Sequence, residues 1–186
     1  PTRLITVRAG GAMGYRMPTI FNEEAEPLGY AVVRPINLNS TEAERSMGAN
    51  FDIRYVSTLG FKNVLLSFNQ LFYFNKIESP LVLVANNSDY NFVNTNGSLT
   101  SSGFETQIKL TIHKFTWFVG YTLTNASLDS GSISNEIILT PKHSIKGDLL
   151  FTMDNQWRIG WDYEYKSSQL LSNGTRSQTL FTTGIV

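Results

Sequence analysis

The residue pattern that most constrains the fold is a strict two-residue alternation, clearest between residues 156 and 166. In the run Gln-Trp-Arg-Ile-Gly-Trp-Asp-Tyr-Glu-Tyr-Lys, odd-numbered positions are apolar or aromatic, and even-numbered positions are glycine, polar or charged. Consecutive side chains of a β-strand point to opposite faces of the sheet, whereas a helix repeats every 3.6 residues. The run therefore predicts a strand with one apolar face and one polar face.

Comparable alternation recurs about eight times, and the connections between the predicted strands alternate in length. The predicted strands cover residues 4–13, 47–56, 64–77, 104–112, 117–124, 145–153, 156–166 and a segment after 174. Connections near residues 60, 114 and 155 are tight turns, and those near 30, 88, 132 and 171 are longer. In an up-and-down meander, tight turns and long loops would then lie at opposite ends, which is typical of outer-membrane barrels.

Composition argues against several structural and functional features. Charged residues make up 16% of the chain, below the roughly 25% of soluble domains, and no apolar run is long enough for a transmembrane helix. The formal net charge is zero, so no basic surplus indicates a nucleic-acid partner. The absence of cysteine excludes disulfides and thiolate metal sites.

Alternation alone does not decide whether the apolar face meets lipid or a protein core. A soluble or cell-surface β-sandwich that binds glycans through exposed aromatics would turn the same face inward. Sandwich strands usually have about five or six residues, and several of the predicted strands are about twice as long. Trp117, Trp157 and Tyr165 also lie near strand ends, where the aromatic belts of membrane proteins occur. The membrane barrel is favoured, and the sandwich and a complete small eight-stranded barrel stay open.

Six short motifs, in order along the chain, resemble elements of the barrel domain of TonB-dependent outer-membrane receptors. They are Gly14-Tyr15-Arg16-Met17-Pro18-Thr19, Asn37-Leu38 with Glu42 and Ser46, Phe72-Tyr73-Phe74-Asn75-Lys76-Ile77, Asn94 with Gly103-Phe104-Glu105, Tyr121-Thr122-Leu123-Thr124-Asn125-Ala126, and Leu139-Thr140-Pro141-Lys142-His143. The resemblance implies an all-β antiparallel meander of about eight strands, forming part of a transmembrane barrel of about 22 strands.

The resemblance also implies a function and a location. The whole protein would lie in the cell outer membrane, in contact with lipid, and bind a scarce nutrient such as a ferric siderophore, cobalamin or an oligosaccharide. TonB would supply the energy for import, and it would contact the receptor through segments that are not among residues 1–186. Residues 1–186 are expected to be a partial barrel domain, because the family's plug domain and final strands have no counterpart in them.

Transport of this kind is gated passage without bond chemistry, so the protein is not expected to be an enzyme or to hold a cofactor. No catalytic residue is predicted. His113 and His143 have no carboxylate at ligand spacing, and no metal site is predicted either.

Two sets of candidate functional residues follow. The candidate ligand-binding residues, in the predicted long loops, are Arg16, Tyr30, Arg34 and His143. Of these, Arg16 and Arg34 would hold an anionic metal chelate through charge-assisted hydrogen bonds. The charged residues predicted to face the lumen are Asp52, Arg54, Glu105, Lys109, Arg158, Asp162 and Glu164. A lysine or arginine facing lipid at the midplane costs about 2–4 kcal/mol, and pairing across neighbouring strands is favoured over substrate contact.

Overall fold

The computed structural model describes residues 3–21, 25–60, 64–86, 88–129, 134–153, 157–171 and 173–185. The strands within these ranges are β1 (Arg3–Arg16), β2 (Glu44–Leu59), β3 (Val64–Glu78), β4 (Leu81–Asn86), β5 (Asp89–Asn94), β6 (Ser98–Ile112), β7 (Phe115–Asp129), β8 (Ser134–Glu136), β9 (His143–Thr152), β10 (Arg158–Lys166) and β11 (Leu180–Ile185). One 3-10 turn, Glu26–Leu28, lies between β1 and β2. Within the described ranges, no helix has the length and apolar character needed to cross a membrane.

Eight strands form one antiparallel sheet in the order β1-β2-β3-β6-β7-β9-β10-β11, and the short β8 also pairs with β7. The predicted meander is therefore confirmed. The sandwich alternative is wrong, because the other sheet among the described strands is only the β4–β5 hairpin. The edge strands β1 and β11 do not pair with each other in the described residues, so this sheet is open rather than a closed eight-stranded barrel.

The long strands are long enough to cross a bilayer at a tilt. β2 has 16 residues, and β3, β6 and β7 have 15 each. At about 3.3 Å per residue and a tilt of about 40°, 16 residues rise about 40 Å, compared with an apolar band of about 25 Å. The ends of these strands would therefore extend beyond the apolar band.

Cross-strand register sorts the side chains onto two chemically different faces. One row of direct partners is Ile5, Tyr55, Phe68, Ile108, Val119, Gly147 and Tyr163, and a row on the opposite face is Thr6, Arg54, Asn69, Gln107, Gly120, Lys146 and Glu164. The first is called the apolar face and the second the polar face. Large side chains of the apolar face stay exposed, including Ile5 at 66% and Phe72 at 47%. A soluble monomer rarely exposes an apolar patch larger than a few hundred Å².

Two features of the strand ends agree with the sequence interpretation. Trp117 lies near the start of β7, Trp157 directly precedes β10, and Tyr165 lies near the end of β10. The tight turn after β6 is confirmed, since Ile112 pairs with Phe115 and His113 takes a φ of 51°. The predicted turns near 60 and 155 fall on residues 61–63 and 154–156, which lie outside the described residues, as does Gln156.

The buried apolar core of the described residues lies among the long loops rather than in the sheet. It consists of Ala25, Val33, Leu81 and Phe92. The loop after β1 packs on the β4–β5 hairpin here, and Val33 bridges to Tyr90 as a parallel partner. The predicted long connection near residue 88 contains a hairpin that the alternation does not indicate, because β4 and β5 pair over six positions. Their asparagine-rich composition favours turns locally, but pairing and burial against the first loop outweigh that preference.

Candidate functional site

All seven charged residues predicted to face the lumen lie on the polar face, and three of their carboxylates have partners. Arg8 donates to Asp52 through two bonds, Nε to Oδ1 at 2.9 Å and Nη2 to Oδ2 at 2.9 Å. Glu164 Oε1 lies 3.1 Å from Lys146 Nζ and 3.2 Å from Lys166 Nζ. Glu105 accepts a hydrogen bond from the Gln107 amide. These contacts agree with the preference for pairing between side chains, while a lumenal position for this face stays a prediction.

The unpaired cations of the polar face cluster toward the end with the tight turns. Arg54 and Lys109 form no side-chain hydrogen bond or ion pair within the described part of the chain. Together with Arg8 they line a shallow cavity of about 260 Å³. This cavity presents mainly donors, which suits an anionic group passing along the polar face.

A second polar cavity, of about 310 Å³, lies at the long-loop end and is called the loop-end cavity. Its walls come from the end of β7, from β8, from the segment leading into β9, and from the chain after β10. The lining residues are Thr124, Asn125, Ala126, Glu136, Thr140, Lys142, His143, Ser167, Ser168 and Arg176. It therefore offers hydroxyls, one amide, two cations and one carboxylate to a ligand.

Backbone hydrogen bonds hold the walls of the loop-end cavity in place. Thr124 N donates to Lys142 O at 2.9 Å, and Ser167 N donates to His143 O at 2.9 Å. His143 N in turn donates to Ser167 Oγ at 3.0 Å. The Arg176 guanidinium donates to the Glu136 carboxylate, which joins the loop after β10 to β8. These bonds join the wall segments of the cavity to one another.

The side chains of Lys142 and His143 differ in whether they already have hydrogen-bond partners within the protein. The Tyr121 hydroxyl lies 2.9 Å from His143 Nδ1, and the two rings stack with centroids 6.2 Å apart. The Lys142 side chain is exposed and has no hydrogen-bond or ion-pair partner among the described residues. Lys142 is therefore the cation of this cavity that is free to meet an anionic ligand.

The structure does not bring the four predicted loop residues together. His143 lines the loop-end cavity, whereas Arg16, Tyr30 and Arg34 lie in β1 or in the loop after it, toward the other lateral edge of the sheet. β9 lies five strand positions from β1, which is roughly 24 Å along the sheet. Arg16 lies 3.8 Å from Glu44, and Tyr30 packs on Phe21 with ring centroids 5.5 Å apart.

Arg34 is engaged in holding the loops. Its Nη2 and Nε donate to Asp89 Oδ2 at 2.7 and 2.9 Å. Its backbone N also donates to Tyr90 O at 2.8 Å. These contacts join the first loop to the β4–β5 hairpin, so Arg34 has a structural role whether or not it also contacts ligand.

Sequence reasoning missed most of the loop-end cavity. Lys142, Ser167, Glu136 and Arg176 come from segments that alternation does not organise. Glu136 and Arg176 are 40 residues apart, and only the fold brings them together. The Leu-Thr-Pro-Lys-His motif contains both residues, but the sequence prediction selected His143 as a ligand-binding residue and not its neighbour Lys142.

Several motif residues have clear structural reasons. Asn94 Oδ1 accepts from Glu42 N at 2.8 Å, and its Nδ2 donates to Ser79 O at 2.7 Å and Glu42 O at 3.1 Å. Asn94 therefore fastens the hairpin to the start of β2. Tyr73 crosses over Gly103 on the polar face and reaches Thr124, with its hydroxyl 2.8 Å from Thr124 Oγ1.

The described geometry defines a class: one antiparallel sheet of long strands with a continuous apolar face, a polar face, and structured loops at one end. A family model described as "TonB dependent receptor-like, beta-barrel" matches residues 1–184. The chain therefore belongs to the TonB-dependent receptor β-barrel family. Members of this family are outer-membrane transporters rather than enzymes.

Solved structures share this fold. The chain is similar to the FrpB iron transporter from Neisseria meningitidis, F3-3 variant, with 14% identity and a TM-score of 0.69. It is also similar to the F5-1 variant apoprotein, with 14% identity and a TM-score of 0.71. In both cases the match covers 97% of this chain and 29% of the other.

A third similar structure is the ferric-catecholate import receptor Fiu from K12 E. coli, with 16% identity and a TM-score of 0.64. That match covers 96% of this chain and 26% of the other. The chain thus spans less than a third of the length of these transporters. A comparison with curated proteins found no match.

Proposed function

We propose that the chain is part of the barrel of an outer-membrane receptor that imports an iron chelate with energy delivered through TonB. The observation that carries this proposal is the family match over residues 1–184. The plug domain, the TonB-contacting segment and further strands would belong to other parts of a longer protein. The coverage of 26–29% of the similar transporters supports this division.

The ligand proposal rests on the loop-end cavity together with the similar structures. Those proteins are described as an iron transporter and a ferric-catecholate import receptor. Ferric siderophore complexes are commonly anionic, and the cavity presents the free Lys142 ammonium beside several hydroxyl groups. A charge-assisted hydrogen bond to such a ligand is roughly twice as strong as a neutral one.

The polar face would serve the passage of the ligand after release from the loops. Its paired charges are held in place by cross-strand contacts such as Arg8 with Asp52. Arg54 and Lys109, two of its unpaired cations, would attract an anionic complex without binding it tightly, because both are exposed to water. Coupling to TonB would then change which state of the whole receptor is populated.

Uptake of radioactive iron tests the proposal in a Gram-negative host that lacks its own siderophore receptors and expresses the full receptor. We expect uptake of at least one ferric siderophore, abolished by deletion of tonB. Uptake that persists without TonB, or uptake of cobalamin or an oligosaccharide but of no iron complex, would refute the corresponding part of the proposal.

Lys142→Gln tests the site itself. We expect the Kd for an anionic ferric siderophore to rise about tenfold, the loss of one charge-assisted hydrogen bond. Arg45→Gln is the matched control, since Arg45 is another unpaired cation at the long-loop end but lies outside the loop-end cavity. Equal losses in the two variants would contradict a specific role for Lys142.

A further inference from the structure

The apolar face carries a cluster of charged residues at its long-loop end. Arg45 lies opposite Tyr15 and Glu78 in the cross-strand register, and Lys76 lies opposite Met47. All five positions share the apolar face, because direct partners in an antiparallel ladder point the same way. Charged groups on this face need an explanation, since a lipid-facing charge is expensive within the apolar band.

The position of the cluster along the strand supplies part of that explanation. Arg45 is two residues beyond Met47 on the same face and one residue from the start of β2. Because β2 rises about 40 Å at a barrel tilt, its first residues lie beyond an apolar band of about 25 Å. Arg45 would therefore stand at the level of the lipid head groups.

The charges of the cluster are not fully paired. Lys76 Nζ lies 3.0 Å from Glu78 Oε1, so these two neutralise each other. The Arg45 side chain is exposed and forms no hydrogen bond or ion pair within the described residues. One positive charge therefore remains, with five N–H donors in a planar arrangement that matches a phosphate.

A cavity of about 510 Å³ lies directly beside this guanidinium, and its walls are amphipathic. Met13, Tyr15 and Met47 provide apolar surface, whereas Arg45 and Glu78 provide charge. Met13 is 84% exposed and Tyr15 78% exposed within the described residues, where β1 is an edge strand with β2 as its partner on one side. The cavity offers an acyl chain and its charged head group contacts of the right kind within one site.

We propose that this cavity binds one phosphate-bearing lipid of the membrane, with the phosphate on Arg45 and an acyl chain along Met13 and Met47. The occupant is a lipid rather than a peptide because the cavity opens on the face that the family directs toward the bilayer. Charge complementarity selects an anionic head group over a neutral one. This inference rests on the membrane placement in the proposed function.

Native mass spectrometry of the full receptor in non-ionic detergent tests the inference. Phosphatidylglycerol is titrated against the wild type, Arg45→Gln, Arg45→Lys and Arg54→Gln. We expect Arg45→Gln to weaken phosphatidylglycerol binding about tenfold, the loss of one charge-assisted bond. Arg45→Lys should keep the affinity within about threefold, since the charge is retained. Arg54→Gln removes an unpaired cation of the same strand from the opposite face and should change nothing.

Two further ligands test whether the site requires both the phosphate and the acyl chains of the lipid. Diacylglycerol with the same acyl chains should bind at least tenfold more weakly, because it lacks the phosphate. Inorganic phosphate at millimolar concentration should not displace the lipid, because it lacks the chains. Equal losses in Arg45→Gln and Arg54→Gln, equal binding of the two lipids, or displacement by free phosphate would each overturn the inference.

Failure here is distinguishable from failure of the proposed function. Arg45→Gln should import the iron complex like the wild type, and the receptor should fractionate with the outer membrane. An importing receptor without lipid selectivity would refute the lipid site alone. A receptor absent from the outer-membrane fraction would refute the proposed function.

Discussion

Gly103 is a strand residue at which the addition of one methyl group should lower stability strongly. A Cβ built on Gly103 would clash with the Leu123 carbonyl oxygen and lie 2.7 Å from the Tyr73 hydroxyl. Alanine therefore requires β7 to shift away from β6, and Tyr73 to leave its position over residue 103. The Tyr73–Thr124 hydrogen bond, 2.8 Å long, would break with that movement.

The expected magnitude combines two effects. Forcing a methyl group into a packed site costs about 1–3 kcal/mol, and a lost hydrogen bond costs about 1 kcal/mol. Gly103→Ala should therefore lower the free energy of unfolding by about 2–4 kcal/mol. Gly11→Ala is the matched control, because a Cβ there meets only Gly48 O at 3.6 Å. Both changes reduce the freedom of the unfolded chain equally, so their difference reports the clash.

Guanidinium unfolding of the full receptor in lipid vesicles, followed by tryptophan fluorescence, measures these differences. Tyr73→Phe should lower stability by about 1 kcal/mol, since it removes only the hydrogen bond to Thr124. The double variant Gly103→Ala/Tyr73→Phe should lose less stability than the sum of the two single losses. The reason is that the added methyl group and the Tyr73 hydroxyl occupy the same space, so removing the hydroxyl relieves part of the clash. Gly103→Ala as stable as Gly11→Ala would refute the reasoning.

Three further predictions concern other parts of the chain. Thr106 Oγ1 donates to Gln70 Oε1 at 2.6 Å on the apolar face. Thr106→Val should therefore lower the unfolding free energy by about 1–2 kcal/mol, because Gln70 loses its partner. The double variant Gln70→Leu/Thr106→Val replaces both polar groups and should restore the stability in the same vesicle assay. Asn94→Leu removes three hydrogen bonds at the hairpin, so proteinase K should cut the loops of intact cells faster while barrel unfolding stays unchanged. Residues 1–186 expressed alone should not be a soluble monomer, because the outer edges of β1 and β11 have no partner strand within the described ranges; a sharp two-state transition in detergent-free buffer would contradict this.

Alternation predicted the sheet well where one face is apolar and the other polar. In β10 the run from Arg158 to Lys166 has this character, and the strand has these bounds. The first residues of β6 were missed, because Ser98-Leu-Thr-Ser-Ser shows no contrast between faces. There the neighbouring strand decides, since Ser98 to Ser102 pair with the end of β3. A pattern within one strand does not contain that information.

The loops were harder to predict because their contacts are distant in sequence. Arg34 and Asp89 are 55 residues apart, and Asn94 and Glu42 are 52 residues apart. Nothing in the local composition of residues 79–97 indicates that these pairs meet. The charged residues of the polar face share one face in the cross-strand register, as the period of two requires, while their lumenal position stays a prediction. Which of them pair depends on register, which the sequence pattern does not specify.

The continuous register from Arg45–Glu78 to Leu59–Val64 has a consequence for how genes of this kind can change length. Deleting one codon inside β2 would invert every later side chain of that strand, so tyrosines would exchange places with arginines. Insertions of any size are tolerable only beyond the ends of the ladders, for example in the segments that join β1 to β2 or β10 to β11. Recognition can therefore diversify by gain and loss of residues, while the strands can diversify only by substitution.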